Sequence, residues 1–364
     1  MKIPVCRPSI TKTEKRWVKK ALKENRISST GGLVELFEER FAKKVNRKYC
    51  VAVNSGGSAL FLTLWALGIR KGDEVIVPDF TMVATPNAVS QCGAKPVFVD
   101  AEYDTGNIEV SKIEEKITKK TKAIIPVHIY GHPCDLDKIF RIASKYKIQV
   151  IEDAAEAHGA LYKGKPIGSF GKASCFSFYA NKIITCGEGG AICTDDKSLA
   201  EELRELRAYY FSPVRHFDHK KIAWNLRMSS LEAAVGLGQL ERFEELVSKR
   251  QMNVGYYSRN LKELEEKGFL ERPIKKDYAE PVYWMYWIKV KKRDQLMKFL
   301  EKKGIETRTG FFPMHWQKPY KKPYKKYPVA NKLGKNSLYL PSGSDLTNKE
   351  KDYVIEKIKE FYQV

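Results

Sequence analysis

The segment YCVAVNSGGSALFLTLWALG, residues 49–68, changes character at a glycine-serine turn. Its first part, YCVAV, is short, apolar and β-branched, as a strand buried on both faces must be. Its second part opens a helix on Gly56, Gly57 and Ser58, small residues that expose backbone N–H groups to an approaching anion. Alone, such a turn is equally an ordinary helix cap. The pattern recurs, however. DEVIVPD (73–79), KPVFVD (95–100), KAIIPVHIYG (122–131), IQVIEDAA (148–155) and ASCFSFY (173–179) are all short apolar runs ending in turn residues, with helical segments between several of them. This alternation predicts an α/β protein with a mostly parallel central sheet flanked by helices, whose ligands gather beyond the carboxyl ends of the strands.

Outside this region the pattern is helical before and mixed after. Residues 1–26 suggest one helix, and LVELFEERFAKKV (33–45) repeats apolar residues at helical spacing. Residues 229–268 form a long helical stretch interrupted once, followed by a strand, VYWMYWIKVKK (282–292), and helices over 293–304 and 348–362. The expected organisation is a large domain over residues 1–246 and a smaller α+β C-terminal domain over 247–364.

Composition excludes several classes of function. No window approaches the roughly 18 uninterrupted apolar residues of a membrane span, and the N-terminal residues lack a signal-peptide core. The seven cysteines form no C-x-x-C pair and sit mostly in apolar segments, as reduced thiols of a cytoplasmic protein do. The six histidines show no metal-ligand spacing, so no metal is expected. Lys and Arg outnumber Asp and Glu by 65 to 44, a net charge of +21 that suits nucleic acid, an anionic surface or an anionic substrate. Most lysines are interspersed with glutamates on helical faces. The exception is the loop KPYKKPYKKYP (318–328), which carries no nucleic-acid motif, so neither nucleic acid nor membrane is the expected partner.

Three features fall at strand ends. The first is the turn at Gly56–Ser58. The second is IEDAAEAHGA, with Asp153 and Glu156. The third is FSFYANKIITCGEGGAICTDD (176–196), which places Lys182 in an apolar, glycine-flanked stretch. Each has a plain reading as a cap or an exposed turn. Together they make an anion cradle, a carboxylate for a ring nitrogen and an amine for an aldehyde, the three contacts pyridoxal 5'-phosphate requires.

At these residues the chain resembles the DegT/DnrJ/EryC1/StrS sugar aminotransferases, pyridoxal phosphate enzymes of fold type I, over nearly its full length. The matching blocks include RISSTGGLVELFEERFA, NSGGSALFLTLWALG, DEVIVPDFTMVATPNAV, IEDAAEAHGA, FSFYANKIITCGEGGAICTDD, IAWNLRMSSLEAAVGLGQLE and GFFPMHWQKPY. The resemblance implies that Lys182 bonds the cofactor, Asp153 pairs with its ring nitrogen and Glu156 contacts its ring hydroxyl. Gly57, Ser58 and Ser177 would hold the phosphate. Asn225 would reach it from the partner subunit of a homodimer with shared sites. Arg227 would help nearby, with a salt bridge as the alternative.

Two departures stand out. Gly57 replaces a frequent threonine, and Met82 replaces an aromatic ring over the cofactor. Arg26, Ser28, Ser29, Tyr130, Arg215 and His315 are further substrate-contact candidates, each with a structural alternative. Because Lys182 is retained, the implied reaction is transamination, with L-glutamate as donor. The branch most resembled aminates carbon 4 of GDP-4-keto-6-deoxymannose to GDP-perosamine. dTDP- or UDP-4-keto sugars and sugar 3-amination are alternatives, and a non-catalytic or nucleic-acid-binding regulator is the reading from another class.

Overall fold

The computed structural model describes residues 2–211 and 217–364. Helices α1 (Lys12–Lys23) and α2 (Leu33–Lys44) come first. Strands β1 (Tyr49–Val53), β2 (Glu74–Pro78), β3 (Lys95–Val99), β4 (Thr121–Ile124) and β5 (Gln149–Asp153) then alternate with helices α3 (Gly56–Ala66), α4 (Ala84–Gln91) and α5 (Leu136–Tyr146). A short hairpin, β6 (Leu161–Tyr162) and β7 (Lys165–Pro166), precedes β8 (Ala173–Ser177) and β9 (Gly190–Thr194). Helices α6 (Lys197–Leu206), α7 (Ser230–Glu241), α8 (Phe243–Asn260) and α9 (Lys262–Glu266) follow.

The main sheet has seven strands in the order β1-β9-β8-β5-β4-β2-β3. All but β9 run in one direction, so β1, β2, β4, β5 and β8 deliver their carboxyl ends to the same edge. Strand β9 was not separated from the lysine segment by its sequence; it returns antiparallel between β1 and β8. Helix α3 is apolar nearly all round, and its buried Leu60, Leu62 and Leu64 each contribute roughly 1.5–3 kcal/mol by leaving water. That packing anchors the helix whose first turn faces the site. Among the described residues, no helix is long and apolar enough to cross a membrane.

The remaining chain contributes β10 (Leu270–Glu271), β11 (Ala279–Glu280), β12 (Tyr286–Val290), α10 (Arg293–Lys302), β13 (Arg308–Thr309), α11 (Pro328–Asn336), β14 (Ser337–Leu340) and α12 (Asn348–Tyr362). Helix α12 begins at a capping box in which Thr347 and Glu350 satisfy each other's backbone N–H groups. A second core holds Val254, Tyr257, Ile288, Leu300 and Ile358, together with Ile3 from the other end of the sequence. The first core also takes in Val282, Trp284 and Trp287, so the two parts are packed together around aromatic side chains. Two expectations change here. The helical stretch after residue 229 breaks twice, at Arg242 and Leu261, rather than once. The lysine-rich loop contains two 3-10 turns, Lys318–Tyr320 and Tyr324–Lys326, and leads into α11.

Candidate active site

The three strand-end features predicted from the sequence gather at the edge where the parallel strands end. After β1, Ser55 caps α3 by accepting the Ser58 N–H at 3.1 Å, while the first-turn N–H groups of Gly56 and Gly57 have no helical acceptor. Gly56 is required by close approach, since a Cβ there would lie 2.7 Å from Ser177 Cβ. That contact brings the end of β8 against the start of α3. At Gly57 a Cβ would meet only Ser55 Oγ, at 3.8 Å, so open space lies over the helix end. Ser58 Oγ donates to Asn54 Oδ1 at 2.7 Å. Gly57, Ser58 and Met82 share one cleft of about 660 Å³ with Asn87, Trp224 and Leu226. Met82 is exposed there.

After β5, Asp153 and Glu156 are both buried. Asp153 Oδ2 accepts the Thr85 hydroxyl at 2.7 Å and Oδ1 accepts the Ala155 N–H at 3.2 Å. Burial raises the Asp153 pKa above the ordinary carboxyl value, against the pull of these hydrogen bonds and of the Lys182 charge. Glu156 Oε2 accepts the Tyr130 N–H at 2.6 Å, and burial likewise pushes its pKa up to about 7 while the Lys182 charge opposes it.

After β8 the chain turns, with the Lys182 N–H donating to Tyr179 O at 2.9 Å. The Lys182 side chain is partly buried, and its Nζ lies 3.8 Å from the centroid of the Trp284 ring. Desolvation lowers its pKa, and the charges of Glu156 and Asp153 partly restore it. An amine with an enlarged neutral fraction, opposed to two carboxyls with raised pKa values, is suited to attack a carbonyl and to move protons.

The other candidates are placed as follows. Asn225 is exposed, and its Oδ1 accepts from Arg227 Nε at 2.9 Å; the arginine thus bonds an amide and not a carboxylate. Arg26 is exposed and paired with Glu24 at 3.3 Å, and Ser28 O accepts the Ser230 N–H at 2.7 Å, which puts this loop at the start of α7 rather than in the cleft. Arg215 lies outside the described residues. Tyr130 and His315 differ from free substrate contacts. Tyr130 is buried at a left-handed φ of 51°, its hydroxyl accepts the Phe311 N–H at 3.0 Å, and its ring stacks on Phe311 at 5.0 Å. Both His315 ring nitrogens are taken, Nδ1 by Asp79 Oδ2 at 2.6 Å and Nε2 by Asn331 Oδ1 at 3.0 Å. Each of the two thus has protein partners in the folded chain. Sequence reasoning missed Thr85 and Trp284. Thr85 stood inside the quoted block DEVIVPDFTMVATPNAV, but Trp284, within a strand-like aromatic run, gave no signal.

Comparison with known proteins agrees with this geometry. The model of the DegT/DnrJ/EryC1/StrS aminotransferase family matches residues 8–359. The GDP-perosamine synthase of Escherichia coli O157:H7 is 41% identical over 366 residues, covering 99% of this chain and 98% of that protein. The GDP-perosamine synthase of Caulobacter vibrioides is 41% identical over 360 residues, covering 97% and 96%. The PLP form of Spr1654 from Streptococcus pneumoniae superposes with a TM-score of 0.94 at 29% identity, covering 100% of this chain and 99% of that one. The residues present fit pyridoxal phosphate. Open space lies over the free N–H groups of α3, and the buried Asp153 carboxyl, held by Thr85, can supply the counter-charge that a protonated ring nitrogen needs.

Proposed function

The chain belongs to the DegT/DnrJ/EryC1/StrS aminotransferase family, and we propose that it transfers an amino group from L-glutamate to carbon 4 of GDP-4-keto-6-deoxymannose, giving GDP-perosamine. It is a pyridoxal phosphate-dependent sugar aminotransferase. The observation that carries the proposal is the partly buried Lys182 amine, which lies over Trp284 and feels the charges of the buried Asp153 and Glu156 at and just after the end of β5. The choice of sugar nucleotide is supported by the full-length similarity to two GDP-perosamine synthases.

In this reading Gly57, Ser58 and Ser177 bind the cofactor phosphate at the positive end of α3. Asp153, oriented by Thr85, keeps the ring nitrogen protonated. Glu156 orients the ring hydroxyl, and Met82 covers one face with a thioether, which packs less directionally than an aromatic ring. Bound here, pyridoxal phosphate supplies a carbonyl carbon that amines can attack and a ring that spreads the charge left when a neighbouring C–H bond ionises. Lys182 would hold the group through its Nζ until the donor's amine displaces it. Released, Nζ would accept the proton lost from the donor's α-carbon, and water would supply the oxygen of the departing oxo acid. In the second half Nζ would hand a proton to carbon 4 of the keto sugar as that carbon gains the nitrogen and gives up its oxygen as water. The lowered pKa of Lys182 enlarges the fraction able to act as a base at neutral pH.

The working unit in this reading is a cytoplasmic homodimer with shared sites, Asn225 and Arg227 of one subunit serving the phosphate region of the other. The chain divides at residues 246 and 247 into a large cofactor domain and a small C-terminal domain. The positive charge favours the diphosphate of the substrate. The test is to supply L-glutamate with GDP-4-keto-6-deoxymannose, and in parallel with dTDP- and UDP-4-keto sugars, and to read product masses. Equal amounts of amino sugar and oxo acid from the GDP substrate are expected. Preference for another nucleotide overturns the substrate assignment.

A further inference from the structure

Lys182 has to be bonded to the cofactor in one phase of the reaction and free in the next, and a free lysine carries a flexible four-carbon chain and a charge that is costly to leave partly buried without a partner. Asp153 and Glu156 act on it across space. What Nζ touches is the indole face of Trp284, at 3.8 Å.

That indole is fastened at every polar atom it has. The Trp284 N–H donates to Tyr130 O at 2.9 Å, its carbonyl accepts from Arg250 Nη1 at 2.7 Å, and its Nε1 donates to Asn181 O at 2.9 Å. Its ring lies nearly parallel to that of Tyr130, with centroids 6.1 Å apart. Asn181 is the residue before the lysine, and its carbonyl also accepts from Arg250 Nη2 at 3.3 Å. Arg250 is itself buried and donates to carbonyls, Ser344 Oγ and Cys6 Sγ. Packing alone needs a ring of the right size. It does not need a ring whose edge holds the backbone next to the lysine while its π-face meets the lysine's own nitrogen.

We propose that Trp284 is a positioning residue for Lys182: its edge holds the turn from which the lysine extends, and its face receives the ammonium whenever the amine is not covalently engaged. A fixed π-face attracts a cation, and more strongly where water is excluded. It keeps the freed amine close to its point of return instead of letting it swing to other rotamers, and it favours the protonated form that must give up a proton in the return half of the reaction. The inference rests on the assignment of Lys182 as the cofactor-bearing lysine.

The experiment uses the full-length enzyme as wild type, Trp284→Phe and Trp284→Leu. Borohydride reduction of the loaded enzyme, with peptide masses, first establishes whether the cofactor is bonded to Lys182. A wild type with no such adduct overturns the underlying assignment, independently of Trp284. Excess L-glutamate then frees Lys182, and its acetylation rate is followed by peptide mass from neutral to alkaline pH, with the exposed Lys43 as internal reference. Trp284→Leu is expected to shift the Lys182 profile to lower pH and raise its labelling at neutral pH by about tenfold, while Trp284→Phe stays within about twofold of wild type. Identical profiles in all three proteins, or equal shifts in both variants, overturn the proposal. Trp284→Met, which fills space without a π-face, replaces Trp284→Leu if the latter does not fold.

Discussion

Thr85, the second residue of α4, donates its hydroxyl to Asp153 Oδ2 at 2.7 Å, so the carboxyl that ends β5 is oriented by the helix that follows β2. A hydrogen bond to a charged acceptor is worth roughly 1.5–3 kcal/mol. Thr85→Val is therefore expected to weaken cofactor binding about tenfold and to lower the stability of the cofactor-free protein by about 1–3 kcal/mol, because the Asp153 oxygen is left unsatisfied. Fluorescence titration of the cofactor-free protein measures this, and an unchanged affinity removes Thr85 from the site.

In the proposed function the Lys182 amine both bonds the cofactor and moves the proton, and Lys182→Ala removes it. Turnover is expected to fall by about 10²–10⁴-fold, the range over which positioned acid–base groups act. The mass increment left by borohydride reduction is expected to vanish with it. A variant that keeps the increment places the covalent link on another lysine.

Glu156 titrates in the folded chain near 7, above its ordinary 4.5, because burial disfavours its charge. Between these values the folded chain binds more protons than the unfolded one. The stability contributed by this group is present in acid and is lost as pH rises through the folded value. Without cofactor, the urea midpoint of the wild type is expected to decline more steeply from about pH 4.5 to about pH 7 than that of Glu156→Gln. Parallel profiles for the two proteins would contradict this.

Neighbouring glycines differ in the room the fold leaves them. Gly56→Ala drives a Cβ to 2.7 Å from Ser177 Cβ and is expected to cost about 1–3 kcal/mol of stability, read from denaturant unfolding. Gly57→Ala meets nothing closer than 3.8 Å, so its stability is expected to stay within about 0.5 kcal/mol of wild type. Equal losses in the two variants would refute open space over the helix end.

His315 joins Asp79 at the end of β2 to Asn331 in α11, with all three side chains buried. Removing one member of a buried, hydrogen-bonded pair strands the other, at about 3–5 kcal/mol. His315→Leu is expected to show that loss in unfolding experiments. The conservative His315→Gln should recover part of it. A large rise in KM for the sugar at unchanged stability would instead make His315 a substrate contact.

The sequence made the parallel strands and the three strand-end features legible for a common reason. A strand buried on both faces must be apolar along its length, and a turn at its end must use small or polar residues, so both leave marks in consecutive positions. Lys182, Asp153 and Glu156 stand out against such runs. Thr85, Trp284 and Arg250 act through partners far away in the chain, such as Asp153 and Asn181, and nothing in their own neighbourhoods announces those partners. The reversed strand β9 was hidden because its GAICT composition is that of its parallel neighbours. For Tyr130 and His315 the sequence showed a polar atom on an aromatic residue but not the protein partner that the fold supplies to it.

The N–H groups that open α3 belong to the main chain, and main chain is the same whatever residues evolution tries. A change of side chain there can add or remove a hydroxyl but leaves those N–H groups in place. New selectivity must therefore arise elsewhere, in walls built of variable side chains. A scaffold of this design can diversify its choice of acceptor by drift at the rim while the hold on its coenzyme stays constant.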